Sequence, residues 1–291
     1  MQKSKSKMFL LLAASAAALG GLLFGFDTAV ISGVVPFIKN YFGLDDIALG
    51  WAVSSLLVGC VVGVIASGKP ADVLGRRKTL LIASLLFFIS AVGSAMSDHL
   101  NVFIVFRFFG GIAVGTASIL SPMYIAEISP AEKRGSLVSL NQLAIVIGIL
   151  IAFFSNYLLS STGESNWRWM LGVMGAPALL FFATLLFIPE SPRWLVQKGK
   201  KEEAFSILER INGSEIATAE LQAVEHSIAS EVKGSYKAVF SKKISPLIWM
   251  GIVVAVFSQV TGINSIMYYA PMIFAKTGIG VDNALMQTIA V

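Results

Sequence analysis

Seven runs of apolar residues, near 8–35, 47–67, 79–97, 101–121, 136–159, 167–188 and 246–275, are each long enough to cross a bilayer core of about 30 Å as a helix. An eighth begins near Asn283. Inside hydrocarbon every backbone N–H and C=O must be satisfied within the protein, and runs of this length achieve that as helices. The predicted fold class is therefore an all-α membrane protein. Composition agrees, with 56% of residues hydrophobic and 13% charged, against roughly 25% charged in an average soluble domain.

The basic residues set an orientation. Lys69, Arg76, Arg77 and Lys78 follow the second run and Lys133 and Arg134 the fourth, whereas the opposite loops hold Lys39, Asp45, Asp46, Asp98, His99, Glu164 and Arg168. Lys and Arg accumulate on the cytoplasmic side, so the N-terminus is expected in the cytoplasm. Lys3, Lys5 and Lys7 ahead of Ala13, Ala14, Ser15 and Ala16 imitate a secretory signal, but the run continues to about Val35, past a signal core. The net charge of +5 then describes loops facing a lipid bilayer; no nucleic-acid motif and no obligate protein partner is read. Cys60, the one cysteine, excludes an internal disulfide and a cysteine metal cluster, and neither a metal site nor a cofactor is expected.

Asp27 lies within the first apolar run, in GGLLFGFDTAV. A charge at that depth costs at least ~2.5 kcal/mol on the lenient insertion scale, so an ion or substrate pathway with a partner nearby is the default reading. Arg107, in the fourth run, is the candidate. Counted from Pro36, Asp27 lies roughly 13 Å below the outer surface, and Arg107 lies roughly 9 Å below Asn101, so the two can meet. Arg107 would hold Asp27 ionised until a proton displaces it. A purely structural buried pair is the alternative.

The stretch 193–243 is the only part that reads as soluble. Ala204, Phe205, Leu208 and Ile211, then Leu221, Val224, Ile228 and Val232, recur at helical spacing, which predicts short amphipathic helices under the membrane domain. Three loops carry both signs of charge. GKPADVLGRRK (68–78) joins Gly68 and Gly75, expected to make a tight turn, to Asp72, Arg76 and Arg77. PMYIAEISPAEKRGS (122–136) holds Glu127 and Arg134 around Pro130, and PESPRW (189–194) holds Glu190 and Arg193. Runs one to three and four to six are thus candidate internal repeats.

Several stretches together resemble the signature set of the sugar porter family in the major facilitator superfamily. They are GGLLFGFDTAVISG, GKPADVLGRRK, FRFFGGIAVG followed by SPMYIAEISPAEKRG, SLNQLAIVIGI, NWRWMLG, PESPRWL, and QVTGIN followed by YYAP. The bacterial proton symporters for xylose, galactose or glucose are nearest in motif, and the resemblance covers about Phe24 to Pro271. It implies the major facilitator fold, in which two six-helix bundles joined by a cytoplasmic helical domain rock around a central site. Residues 1–192 would be the N-terminal bundle, 193–243 the linker and 244–291 the start of a C-terminal bundle that is truncated. The implied setting is a bacterial inner membrane.

The same resemblance implies roles. Bacterial proton symporters carry an acid and a base at the positions of Asp27 and Arg107, while passive facilitators usually lack the acid. A sugar needs amides around its hydroxyls and an apolar platform for its ring. Gln142 in the fifth run and Gln259 and Asn264 flanking Gly262 in the seventh would supply the amides. Phe24, Tyr268 and Tyr269 match the family's aromatic positions. Asp72, Arg76, Arg77, Glu127, Arg134, Glu190 and Arg193 are expected to form a cytoplasmic network that stabilises the outward-open state. Two positions depart: Ser258 precedes Gln259 where the family commonly has a second glutamine, and Ile149 replaces a glutamine of the xylose-type relatives.

The reading is a secondary transporter importing a hexose or pentose with protons, and no enzyme. A proton-independent facilitator of a sugar or of a polyol such as inositol, and a non-transporting sugar sensor, remain open as alternatives. Against a drug extruder stand Gln142, Gln259 and PESPR. Against a membrane enzyme, His99 and His226 fall outside apolar runs and no nucleophile elbow appears.

Overall fold

The computed structural model describes residues 2–163, 165–230, 245–275 and 281–288. Every regular element among them is helical. Helices α1 (Gln2–Tyr41), α2 (Asp46–Ala66), α3 (Gly68–Leu74), α4 (Arg76–Ala95), α5 (Leu100–Ile128) and α6 (Arg134–Leu159) are followed by α7 (Asn166–Gly172) and α8 (Gly175–Leu185). Three shorter helices come next, α9 (Pro192–Gln197), α10 (Lys201–Asn212) and α11 (Ser214–Ser230); then α12 (Ser245–Val260), α13 (Ile263–Ala275) and α14 (Val281–Thr288). Among the described residues, seven helical stretches are long and apolar enough to cross a membrane.

Prolines account for most differences from the expected spans. The first was expected to stop near Val35 and the fourth near Ser121, each just before a proline, yet α1 passes through Pro36 and α5 through Pro122. One proline forfeits one i to i−4 bond, a loss that packed helices tolerate where neighbours support the backbone. The sixth crossing is instead interrupted between α7 and α8. Pro177 has no N–H to offer the carbonyl of Val173, and the break falls there. The seventh crossing breaks at Gly262, whose φ of 73° is open to glycine and costly to other residues.

Helix α1 packs chiefly against α6, and α2 against α5, while α4 lies between α5 and α8. Exchanging crossings one, two and three with four, five and six turns the first of these pairings into the second, the contact pattern of an internal repeat with inverted topology. The α2–α5 seam is closed by glycines from both sides. A Cβ on Gly59 would strike the Phe108 carbonyl and one on Gly63 the Ile112 carbonyl; reciprocally, Gly111 faces the Leu56 carbonyl and Gly115 the Cys60 carbonyl. Such small-residue seams let backbones approach where water cannot drive association. Outward positions such as Leu57, Val61, Ile65, Leu150 and Phe154 stay exposed, which suits a lipid-facing wall.

The stripes expected in the linker are present. Ala204, Leu208 and Ile211 are buried. Leu221, Val224 and Ile228 of α11 pack on a small core of Leu195, Val196 and Ala204. Val232 and the rest of the expected linker to 243 lie outside the described residues. Of the two glycines expected in the 68–78 turn, only Gly75 is required: its φ is 99° and its Cα abuts the Glu190 carboxylate, whereas Gly68 begins α3 with open space around it. Helix α13 packs on α1 and α14 on α6.

Candidate functional site

Asp27 of α1 and Arg107 of α5 meet inside the bundle, with Arg107 Nη1 donating to Asp27 Oδ1 at 2.5 Å. Each residue is 1% exposed. Removing two charges from water costs several kcal/mol per ion, and attraction at this range offsets it when the remaining polar atoms are also satisfied. Here they are not: among the described residues, Asp27 Oδ2 and Arg107 Nε are buried without a partner. A carboxylate held by one bond, with its second oxygen unoccupied, is chemically suited to take up and release a proton. Cys60 of α2 and Tyr268 of α13 lie within electrostatic reach of it.

A second charged group forms at the end of the bundle where the linker docks. Arg76, at the start of α4 and 6% exposed, is a buried hub. Its Nε lies 3.1 Å and its Nη2 3.0 Å from the two oxygens of Glu127, and its Nη1 donates to the Ala71 carbonyl at 3.0 Å and to Asp72 Oδ1 at 3.3 Å. This fork geometry is what a guanidinium offers and an ammonium cannot. Glu190 accepts from the backbone N–H of Arg77 at 3.0 Å. The Arg77 guanidinium donates to the Leu185 and Leu186 carbonyls at the end of α8, where a cation complements the helix dipole. Arg134 acts likewise on α5, through the Ala126 carbonyl at 3.0 Å. Arg193 extends outward, its Nη1 3.4 Å from Ser227 Oγ on α11.

Three participants were not singled out from the sequence. Ser191 Oγ donates to Glu127 Oε2 at 2.5 Å and also accepts from Trp194 N as the N-cap of α9. Tyr124 OH donates to the Pro189 carbonyl, and Trp194 Nε1 to the Asp72 carbonyl. A Ser directly before Pro is a helix-start signal that could have marked Ser191. Nothing local signals its partner, sixty-four positions away.

The expected sugar contacts divide into two sets. Gln259, in the last turn of α12, and Asn264, in the first turn of α13, are joined by a 2.7 Å bond from Asn264 Nδ2 to Gln259 Oε1. Gln259 is exposed. The Ser258 hydroxyl turns back to the Ala255 carbonyl at 2.9 Å, so it extends no long donor beside Gln259. Gln142 stands exposed on α6, and among the described residues it has no hydrogen bond to the α12–α13 pair. Phe24 is half-buried on α1, Tyr268 is buried against the first-bundle core, and Tyr269 is half-buried beside it. Among the described residues no cluster of three His, Cys, Asp or Glu side chains is placed to hold a metal ion.

At the opposite end, Arg168 clamps three crossings together. It donates to the Ala95 carbonyl at 2.8 Å, to Tyr41 OH at 2.9 Å and to Asp98 Oδ1 at 2.8 Å. Its guanidinium also lies 4.4 Å from the Trp167 ring centroid.

Known proteins share this sequence and architecture. The protein is 43% identical to the arabinose-proton symporter of Bacillus subtilis (strain 168), over 99% of this chain and 64% of that one. It is 42% identical to the D-xylose-proton symporter of Escherichia coli (strain K12), over 94% of this chain and 62% of that one. The sequence thus spans less than two thirds of the length of these curated relatives. The structure of the major facilitator superfamily proton:xylose symporter XylE bound to 6-bromo-6-deoxy-D-glucose superposes with a TM-score of 0.89 at 39% identity, covering 98% of this chain and 66% of that one. The model of the sugar (and other) transporter family matches residues 13–291, and this chain, a multi-pass membrane protein with the major facilitator fold, belongs to that family.

Proposed function

We propose that this protein imports a monosaccharide, a hexose or pentose, together with protons by alternating access. The observation that carries the reading is the Asp27–Arg107 pair, fully buried and with one carboxylate oxygen unpartnered. An ionisable pair in a spanning segment marks an ion pathway by default. Asp27 is the proton carrier, and Arg107 is its ion-pair partner. The relatives' names, arabinose-proton and D-xylose-proton symporter, support both halves of this assignment.

Gln142, Gln259 and Asn264 hold the sugar hydroxyls, and Phe24, Tyr268 and Tyr269 line the pocket around them. The turned-back Ser258 and the apolar Ile149 reduce the amide set, which keeps a polyol as a second substrate class. The network of Asp72, Arg76, Arg77, Glu127, Arg134, Glu190 and Arg193 closes the cytoplasmic side while the site faces outward. Residues 1–192 move as one bundle, 193–243 link it to the second, and 244–291 begin that second bundle. The membrane is a bacterial inner membrane with the N-terminus cytoplasmic, on the distribution of Lys and Arg. No bond is made or broken in the substrate.

The test is Asp27→Asn in the full-length protein in proteoliposomes. Proton-driven accumulation of labelled sugar is lost while counterflow exchange persists. A variant that still concentrates sugar against its gradient removes Asp27 as the proton carrier.

A further inference from the structure

Helices α1 and α6 run in the same direction along one close seam, with α1 carrying Asp27 and α6 carrying Gln142. A Cβ on Gly21 would strike Asn141, one on Gly25 the Ile145 carbonyl and one on Gly33 the Asn156 side chain, while Gly148 of α6 faces the Leu22 carbonyl. Small residues let the two backbones approach; a buried polar group is what distinguishes one register from the next. Among the described residues, one side-chain hydrogen bond crosses this seam. Asn156, fully buried, donates from Nδ2 to the Val30 carbonyl at 3.1 Å, and Val30 lies less than one turn beyond Asp27. A carbonyl can only accept, so the amide nitrogen faces it and Oδ1 is left buried with no partner among the described residues. That orphaned acceptor carries a desolvation cost that an apolar side chain would not, and a buried polar atom left in this state calls for an explanation.

We propose that Asn156 is a positioning residue: its bond to the Val30 carbonyl fixes the register of α1 on α6, and with it the placement of Asp27 relative to Gln142. The role deepens the proton-coupled reading above and rests on it. Each site has partners of its own, Arg107 of α5 for Asp27 and the sugar hydroxyls for Gln142. Neither set holds the offset between the two helices. With the tie in place, proton and sugar are carried at one fixed spacing and the protein closes on both together. Without it α1 shifts along α6, and sugar crosses without its proton.

The test replaces the amide in the full-length protein in proteoliposomes. Asn156→Leu keeps a side chain branched at Cγ and removes both polar atoms, and Asn156→Ala removes the branch as well. In both, proton-driven accumulation of labelled sugar falls by roughly tenfold, the scale on which a small misplacement acts. Calorimetric sugar affinity and counterflow exchange stay within about twofold, less than a hydrogen bond lost to the sugar would remove. Asn156→Leu melts no lower than the unmodified protein, because the orphaned acceptor is gone; a purely structural role predicts the reverse. Register is read separately, from the distance between spin labels on cysteines at Leu12 of α1 and Leu143 of α6, both exposed, with Cys60→Ala in the background. The distance distribution shifts or broadens in Asn156→Leu. An unaltered distribution overturns the proposal, and so does undiminished accumulation, or a loss of accumulation matched by equal losses in counterflow and melting temperature. If Asp27→Asn still accumulates sugar while the distance has moved, the symport reading falls and the hold of Asn156 on α1 stands.

Discussion

Asn264 Nδ2 donates to Gln259 Oε1 across the break that Gly262 makes in the seventh crossing. The bond spends one polar atom of each amide and leaves Gln259 Nε2 and Asn264 Oδ1, one donor group and one acceptor, for a hydroxyl-rich ligand. Gln259→Ala and Asn264→Ala should each weaken sugar affinity by roughly tenfold, about 1.4 kcal/mol, with Gln259→Ala the worse. Because each amide orients the other, the double variant should lose clearly less than the sum. Gln142→Ala, on α6, should cost a similar amount and add independently. Calorimetric titration of the four variants decides this, and near-unmodified affinity in all of them would remove the assigned pocket.

Glu127 is the acceptor on which the linker-end cluster converges, taking bonds from Arg76 and Ser191 while both sides of the Arg76 pair are largely buried. Removing one member of a buried pair strands the other, at a cost of about 3–5 kcal/mol. Glu127→Gln should therefore lower thermal stability sharply and open the cytoplasmic side. Arg134→Gln should act more gently, since Arg134 holds backbone carbonyls at the end of α5. Both should speed labelling, from the cytoplasmic side, of a cysteine introduced near Gln142. Labelling that is unchanged in both variants would count against a gate.

Much of the architecture is legible in the sequence because lipid leaves few solutions. The crossings announce themselves as long apolar runs, and Asp27 and Arg107 stand out because charges within such runs are rare. The break at Gly262 is also readable, as a glycine flanked by amides. What the sequence hides is mostly partnership. Pro36 and Pro122 look like helix stops, since nothing local tells whether packed neighbours will carry the helix through. Ser191 and Glu127 are unremarkable apart and become a buried contact only when the linker folds under the fourth crossing. Arg168 reads as a loop charge, and its hold on Tyr41, Asp98 and Ala95 depends on the ends of three crossings converging.

The α2–α5 seam offers a test of packing that involves no ligand. A methyl group on Gly111 would meet the Leu56 carbonyl and the Cys60 amide nitrogen, both backbone atoms that cannot swing aside. Gly111→Ala should then destabilise the bundle by about 1–3 kcal/mol, the usual range for overpacking. Gly50→Ala, on α2 where an added Cβ meets nothing within 4 Å, should be neutral or slightly stabilising through helix propensity. Thermal unfolding in detergent compares them. Equal melting of the two variants would mean that the helices do not approach as closely as described.

Glu220, half-buried on α11, makes the linker's docking depend on pH. Burial pushes its carboxyl above the usual value of 4.5, opposed by the Asn212 hydrogen bond, and then Glu132 raises it while Arg134 lowers it. A folded-state value above the unfolded one means that the proton binds the docked form better. The contribution to docking is then fully present below the ordinary carboxylate range and is lost as pH rises through the raised value. The α10–α11 pair should accordingly exchange its amide hydrogens faster, after correction for intrinsic exchange, as pH climbs from about 4.5 toward neutrality. Glu220→Gln keeps an acceptor for Asn212, which bonds the wild-type carboxylate at 2.7 Å, and removes the charge. It should flatten the pH dependence and leave the pair as protected near neutrality as the unmodified protein is in acid. A Glu220→Gln profile that still slopes like the unmodified one would place the titrating group elsewhere, with Glu132 the next residue to replace.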